Sequence, residues 1–393
     1  MKKLVSIALI CSMLLFSLPG IIKAGNNSRK LCSREEILAE IEDIVALVYK
    51  SRDTGCEYRF SDIVGGKLAD YLSNRINTHQ YSLKIYNNYK ENYIIQTELL
   101  SEEQNENEWV LTYKVITTYN YVYLKDIETY ASDVVEITYN FKRGVMTDFY
   151  SPYDYYDIGI RGETGAPLDS FDKEDLEQRQ KELRDEIDRV YQQELCVLPK
   201  KKKTPTRISG YLNSANIVLY ARTNFHLNQP DSGDGVVPYF DFSEIPGNYD
   251  CTNFVSHCLL AGGANVYDTG GSGICSTGWY FRNDANRSSS WSGVTNLYEY
   301  LVNNTHSTAP SGVSALYTTN PNYWSTGDVL QLKFFGSSSY GHSTIITTKQ
   351  YSYDGERAYA LVTGRTSDNA ANDNKPVSEW PTATKRTIFV YNY

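Results

Sequence analysis

The sequence predicts an α+β chain in two parts. Three observations carry this reading. A capped amphipathic helix opens the ordered region, with Ser33 and Glu36 spaced as a capping box before Ile37, Ile41, Ile44, Val45 and Val48. Strand-like runs follow at Tyr93–Leu99, Glu108–Thr118, Tyr119–Lys125 and Ala131–Phe141, where Trp109 to Val115 partly alternates apolar and polar residues. After a Lys/Pro segment near residue 200 a second series of helices and strands begins. Helices first and then a long-stranded meander predicts a cone or cystatin-like layer for the first part.

Composition narrows the function classes. The chain has 393 residues, room for about two or three domains at roughly 150 residues each. Hydrophobic residues make up 41% and charged residues 22%, which describes a globular chain rather than a disordered one. The formal charge is −9, and residues 1–24 carry Lys2, Lys3 and Lys23 with no acid, leaving −12 for the rest. Such a balance argues against a nucleic-acid binder, which needs a basic face. The 34 tyrosines against 13 phenylalanines suit half-exposed β surfaces.

Residues 1–24 read as a signal peptide. Lys2 and Lys3 form the positive start, Leu4 to Phe16 the apolar core, Ser17-Leu18-Pro19-Gly20 the break, and Ala24 a small residue for cleavage. Pro19 and Gly20 interrupt the stretch that an uncleaved anchor would need, and no later stretch could span a membrane. The expected location is secreted or at the cell surface. Cys32, Cys56, Cys196, Cys251, Cys258 and Cys275 remain; a Cys32–Cys56 bridge is expected in the first domain. No C-x-x-C pair supports a metal site, and no cofactor is expected. Asp231–Gly235 and Asp368–Asn374 lack EF-hand spacing and read as turns.

The expected boundaries are 25–165 for an N-terminal accessory domain, 166–208 for a helical connector and linker, and 209–393 for the second domain. The accessory region, which includes a helix with Leu68 and Leu72, holds no catalytic constellation and reads as a spacer or ligand-binding unit. Residues 172–195 predict a charged helix with a narrow stripe of Leu176, Leu183, Ile187, Val190 and Tyr191. Pro199 to Pro205, with four lysines, reads as a solvated hinge.

The second domain carries the candidate chemistry. A helix is expected over Ser214–Thr223. Asp250 is a suitable N-cap, Phe254, Val255, Cys258 and Leu259 follow at helical offsets, and Gly262-Gly263 stops the helix. Cys251 then sits in the first turn, where free N–H groups and the positive dipole end favour a low-pKa thiolate and can hold a developing oxyanion. Asp250 and Asn253 are the expected braces of that turn; Cys258 reads as core, and Cys275 as a loop residue. Among the five histidines, His79 lies in the other domain, His226 and His306 in polar loops, and His257 on another face of the Cys251 helix. His342 opens the strand-like run His342–Thr348 and is the candidate base. A hairpin centred on Asp354-Gly355 puts His342 opposite about residue 367. Asp368 has the chemistry of an orienting group; Arg365 does not. Of Trp279, Trp291 and Trp324, at least two are expected in the core, although all three suit a groove.

The run Asp250-Cys251-Thr252-Asn253-Phe254-Val255-Ser256-His257-Cys258-Leu259-Leu260-Ala261-Gly262-Gly263 resembles the "putative amidase domain" family of exported Gram-positive proteins, in the papain-like group with NlpC-type and CHAP cell-wall peptidases. Trp279-Tyr280, Ser290-Trp291, Gly327-Asp328-Val329-Leu330 and Gly341-His342-Ser343-Thr344 follow in family order. The resemblance covers about residues 209–393. It implies a papain-like fold, Cys251 as nucleophile and His342 as base, without a cofactor. It implies an exported cysteine hydrolase of amide bonds, a cell-wall amidase or endopeptidase whose partner is peptidoglycan or a peptide. Family members show His-Thr where this chain has Arg365-Thr366, and often Gln at His257. The Arg365 departure favours the alternative, a degenerate domain that binds wall peptide or a protein partner without turnover.

Overall fold

The computed structural model describes residues 33–162, 164–196, 212–304, 312–334, 336–351, 358–380 and 382–392. The signal segment 1–24, Cys32, the Pro199–Pro205 hinge and His306 lie outside the described residues.

The first part folds much as its pattern demands. Helix α1 (Arg34–Thr54) begins at Ser33 with the full capping box to Glu36, and α2 (Gly66–Tyr86) follows. Both helices pack on one face of a long antiparallel meander of β1 (Lys90–Gln104), β2 (Glu108–Tyr121), β3 (Leu124–Asn140) and β4 (Val145–Tyr150). In β2, alternate residues from Trp109 to Tyr121 are buried, the signature of a strand with one face on a core. The expected break at Thr118–Tyr119 is absent. The strand runs through to Tyr121, and the reversal falls at Tyr121, paired with Leu124. Helix α3 (Tyr155–Arg161) leads to α4 (Lys173–Cys196). The apolar stripe of α4 does not merely connect: Leu176, Leu183 and Ile187 are buried in the same core as α1 and α2.

The second part opens with α5 (Ser214–Asn224) and α6 (Cys251–Ala261), two adjoining helices over a curved sheet. A small sheet of β5 (Ile274–Cys275), β6 (Phe281–Asn283) and β7 (Asn286–Ser288) is followed by α7 (Ser289–Ser292) and α8 (Val294–Asn303). The remaining strands are β8 (Val313–Thr318), β9 (Val329–Phe334), β10 (His342–Tyr351), β11 (Ala358–Arg365), β12 (Ala371–Pro376) and β13 (Thr382–Asn392). Trp279 and Trp291 are fully buried and Trp324 nearly so, which places all three in cores rather than in an open groove. The stretch at 368–374 is only half a turn, because β12 begins at Ala371. Cys275, expected in a loop, is paired with Ser288 in the short β5–β7 ladder.

The two parts share one sheet. Among the described residues its order is β1-β2-β3-β12-β11-β10-β9-β13-β8, with β4 paired to β3. The join is β3 to β12, with Tyr130 opposite Asp373 and Ala131 opposite Asn372. Ser132 Oγ takes the Ala371 N–H at 3.0 Å, Asn88 Nδ2 donates to Ser378 Oγ at 3.0 Å, and Tyr119, Tyr121 and Leu361 cluster beside the seam. Cys56 is a free thiol 3.5 Å from Ser51 Oγ, and Cys32, its expected disulfide partner, lies outside the described residues. A shared ladder and a shared apolar cluster make the two parts cooperative. Cleavage at a protease site engineered between Pro199 and Pro205 is therefore expected to leave both fragments together on gel filtration, melting in one transition. Separate elution of the fragments contradicts this.

Candidate active site

Helix α6 begins at Cys251, as its sequence predicts, but Asp250 does not cap it. The Asp250 side chain makes no bond to the first turn. It accepts instead from the Tyr239 hydroxyl, from the Phe242 N–H at 3.1 Å and from Asn253 Nδ2 at 2.9 Å. The Arg365 guanidinium lies beside it, with Nε 3.0 Å from Oδ2. Arg365 also pairs with Asp241 and donates to the Leu227 carbonyl at 2.6 Å. Two carboxylates thus share one fully buried cation. Burial is the largest effect on Asp250 and, reinforced by the charge of Asp241, outweighs Arg365 and pushes its carboxyl up to about 7.

This cluster fixes the start of α6 against the sheet. The Asp250 N–H donates to the Thr366 carbonyl at 2.9 Å, just past the end of β11. Thr252 Oγ1 and Ser343 Oγ are 3.1 Å apart, and Gln331 Nε2 donates to the same Ser343 oxygen at 3.1 Å. Asn253 braces the turn from behind. Its amide donates to the Phe240 carbonyl at 3.0 Å and its Oδ1 accepts the Trp291 indole at 2.7 Å. The Cys251 sulfur lies 3.7 Å from Thr252 Oγ1, and the backbone of Ser343 and Thr252 favours its thiolate form. Cys251 is thereby brought to the residue that follows His342, on the strand that His342 opens.

The resting electrostatics differ from the sequence expectation of a low-pKa thiolate. Cys251 is 3% exposed, and burial raises its thiol above the usual range despite these backbone groups. Burial, with Lys375 adding repulsion, lowers His342 to about 3. The pair rests as neutral thiol and neutral imidazole. No hydrogen bond joins the sulfur to the imidazole among the described residues. Side chains of β10 alternate: Ser343 contacts α6, and Ile345 joins the core that contains Phe254 and Leu259. His342 stacks on Trp380 with ring centroids 5.2 Å apart.

The third group of a triad is not where the hairpin predicts. Ile345 pairs with Thr363, and a bulge between Ile346 and Thr348 shifts the register by one residue. A Cβ placed on Gly364 would lie 3.6 Å from His342 Nε2, so the position facing that nitrogen carries no side chain. Nε2 has no hydrogen-bond partner. Arg365 points instead to Asp241 and Asp250. Asp368 makes no bond to His342; its carbonyl accepts Lys114 Nζ at 3.2 Å from the first part of the chain. His257 is buried, and its Nδ1 accepts the Gly233 N–H at 3.2 Å, so it serves the packing of α6. His226 packs on Phe225.

His342 also lines a cavity of about 370 Å³ at the seam between the two parts. Its walls include Trp380, Lys375 and Glu379 from the second part and Arg52, Lys90 and Asp154 from the first. His79, set aside as belonging to another domain, lines it too, with Nε2 3.1 Å from Asp154 Oδ1. Sequence reading missed Tyr239, Asp241, Lys375 and Trp380. The only signal for Lys375 and Trp380 was their place after the His342 strand, and nothing local tied them to it.

Comparison with known proteins agrees with the second part of the chain. Residues 211–391 match the family model described as "Putative amidase domain", which supports an amide-hydrolase domain there. The chain is 31% identical over 111 residues to "Uncharacterized protein YhbB" of Bacillus subtilis (strain 168), a match covering 28% of this chain. It spans about a third of the length of that curated relative, 31% of it. No solved structure matches.

Two outcomes follow from the Asp241–Arg365–Asp250 cluster. Arg365→Met leaves two buried carboxylates without a cation and is expected to cost about 3–5 kcal/mol in denaturant unfolding. The second concerns pH. The folded chain keeps the Asp250 proton up to about pH 7, whereas the unfolded chain releases it near its ordinary value of 3.8. The cluster's contribution to stability therefore falls as pH rises through that window. Asp250→Asn should flatten the corresponding part of the melting-temperature profile; an unchanged profile contradicts the assignment.

Proposed function

We propose that this chain is an exported cysteine hydrolase of amide bonds, acting on cell-wall peptide as an amidase or endopeptidase. Cys251 is the nucleophile and His342 its general base. The observation that carries the reading is the Cys251 sulfur, set at an uncapped helix start whose next residue, Thr252, meets Ser343, the neighbour of the only histidine on that strand. The amidase-domain match over residues 211–391 supports the reaction class. Residues 1–24 support export.

A neutral pair sets the order of events. The substrate carbonyl approaches Cys251, and His342, whose imidazole must first turn from Trp380 toward α6, takes the thiol proton as the sulfur attacks. The tetrahedral oxyanion forms beside the backbone N–H groups at the start of α6, where the helix dipole favours negative charge. The imidazolium then returns its proton to the leaving amine, and water completes hydrolysis of the thioester. No step calls for a cofactor. Asp250 and Asn253 hold the turn and do not touch the reacting atoms; Asp368 has no part in this scheme.

A second reading has two observations in its favour: His342 Nε2 lacks an orienting partner, and the alternation of β10 turns the imidazole to the sheet face opposite Ser343 and α6. On that reading the domain binds wall peptide or a protein partner without turnover. Digestion of purified wall fragments, followed by mass spectrometry, separates the two. The hydrolase reading expects new amine termini, none with Cys251→Ala, and roughly 10²–10⁴-fold slower release with His342→Ala. Alkylation of Cys251 by iodoacetamide should accelerate only as pH passes the ordinary thiol range, because burial raises its pKa. Wall fragments that bind but stay intact support the second reading.

A further inference from the structure

We propose that the cavity at the seam binds a peptide by a free carboxylate, held against the Lys375 ammonium beside His342. The inference stands apart from the hydrolase reading, because Cys251 does not line this cavity.

The argument is one of charge pairing. The acidic side chains of the cavity wall already have donors. Asp53 accepts from Arg52 at 2.7 Å and from Tyr93 at 2.8 Å. Asp133 accepts from Tyr49 at 2.6 Å and from Ser151 at 2.8 Å. Asp154 accepts from Arg52 and Arg75, each at 3.0 Å, and faces His79. Glu379 faces Lys90 at 3.3 Å and Tyr119 at 3.4 Å. Lys375 differs. Among the described residues it makes no hydrogen bond or ion pair, and its ammonium rests 4.3 Å from the Trp380 ring centroid.

Glu379 and Asp133 attract Lys375, but Glu379 already faces Lys90 and Asp133 already accepts from Tyr49 and Ser151, while Lys90 and Arg52 repel it. A cation left facing a cavity in this way is a place for an anion. Trp380 contacts both Lys375 and His342, so an anion on Lys375 sits beside the imidazole. His342 Nε2, in a side chain 3% exposed, is one of four buried polar atoms at this wall without a hydrogen-bond partner, with Tyr155 OH, Glu379 Oε1 and Trp380 Nε1. The aromatic and apolar surfaces of Phe334, Tyr155 and Trp380 suit the body of a short peptide, and about 370 Å³ falls within the usual range of small-ligand sites. A bound carboxylate would also cancel the repulsion by which Lys375 holds the imidazole unprotonated.

The test uses the full chain carrying Cys251→Ser, to prevent turnover, and two probes: N-acetyl-trialanine as the free acid and as the carboxamide. Calorimetric titration is expected to show the acid binding at least tenfold more tightly than the amide. Lys375→Met should lower acid affinity to that of the amide, and Lys375→Arg should retain the preference. Without ligand, Lys375→Met should melt no lower than its parent, because it removes an unpaired buried charge. Equal affinity for the two probes, no binding of either, or a preference that survives Lys375→Met overturns the assignment. Alkylation and hydrolysis at Cys251 are read separately, so either claim can fail alone.

Discussion

The buried guanidinium of Arg365 is the contact on which the site depends. It draws Asp241 and Asp250 to one point inside the second part of the chain. Asp250 is therefore turned away from the helix end that it would ordinarily cap, and the first N–H groups of α6 are left without a side-chain cap next to the Cys251 sulfur. A helix start is normally satisfied by a side chain or by water. Here it is buried, uncapped and beside a thiol, an arrangement that a purely structural turn has no reason to keep. Arg365 thus braces the start of α6 and makes no contact with the His342 imidazole among the described residues.

A second constraint is the β3–β12 ladder. It makes the first part of the chain a wall of the site instead of an attachment, and it closes a charged cavity over His342. Asp53, Asp154 and Glu379 are all engaged by cations of this wall, so the chain has spent considerable desolvation on ordering it. Lys375 makes no hydrogen bond or ion pair among the described residues and rests on the Trp380 ring. The same ladder explains why burial dominates the ionisation of His342: the imidazole lies under a roof contributed by the other half of the molecule.

Much of this was legible locally. The Ser33–Glu36 box, the alternation from Trp109 to Val115 and the Asp250–Gly263 run each rest on interactions within a few residues, and each element formed where those interactions place it. What escaped depends on distance along the chain. Tyr130 meets Asp373, and Lys90 meets Glu379, across more than half the sequence, and no periodicity within either segment encodes such a meeting. The hairpin register failed for a different reason. One bulged residue between Ile346 and Thr348 moves every partner beyond it, so Gly364 rather than a polar side chain faces Nε2. The expected thiolate failed because the helix dipole was weighed without the burial that opposes it.

The central claim is that Cys251 becomes covalently acylated with His342 accepting its proton. The most direct measurement is intact-mass spectrometry of the full chain, acid-quenched within milliseconds of mixing with an activated peptide ester, followed by peptide mapping. The account predicts an adduct of acyl mass on Cys251 that forms and decays during turnover, and that accumulates much more slowly in His342→Ala. An adduct on another residue, hydrolysis with no adduct and undiminished activity in Cys251→Ala, or equal acylation rates with and without His342 would contradict it.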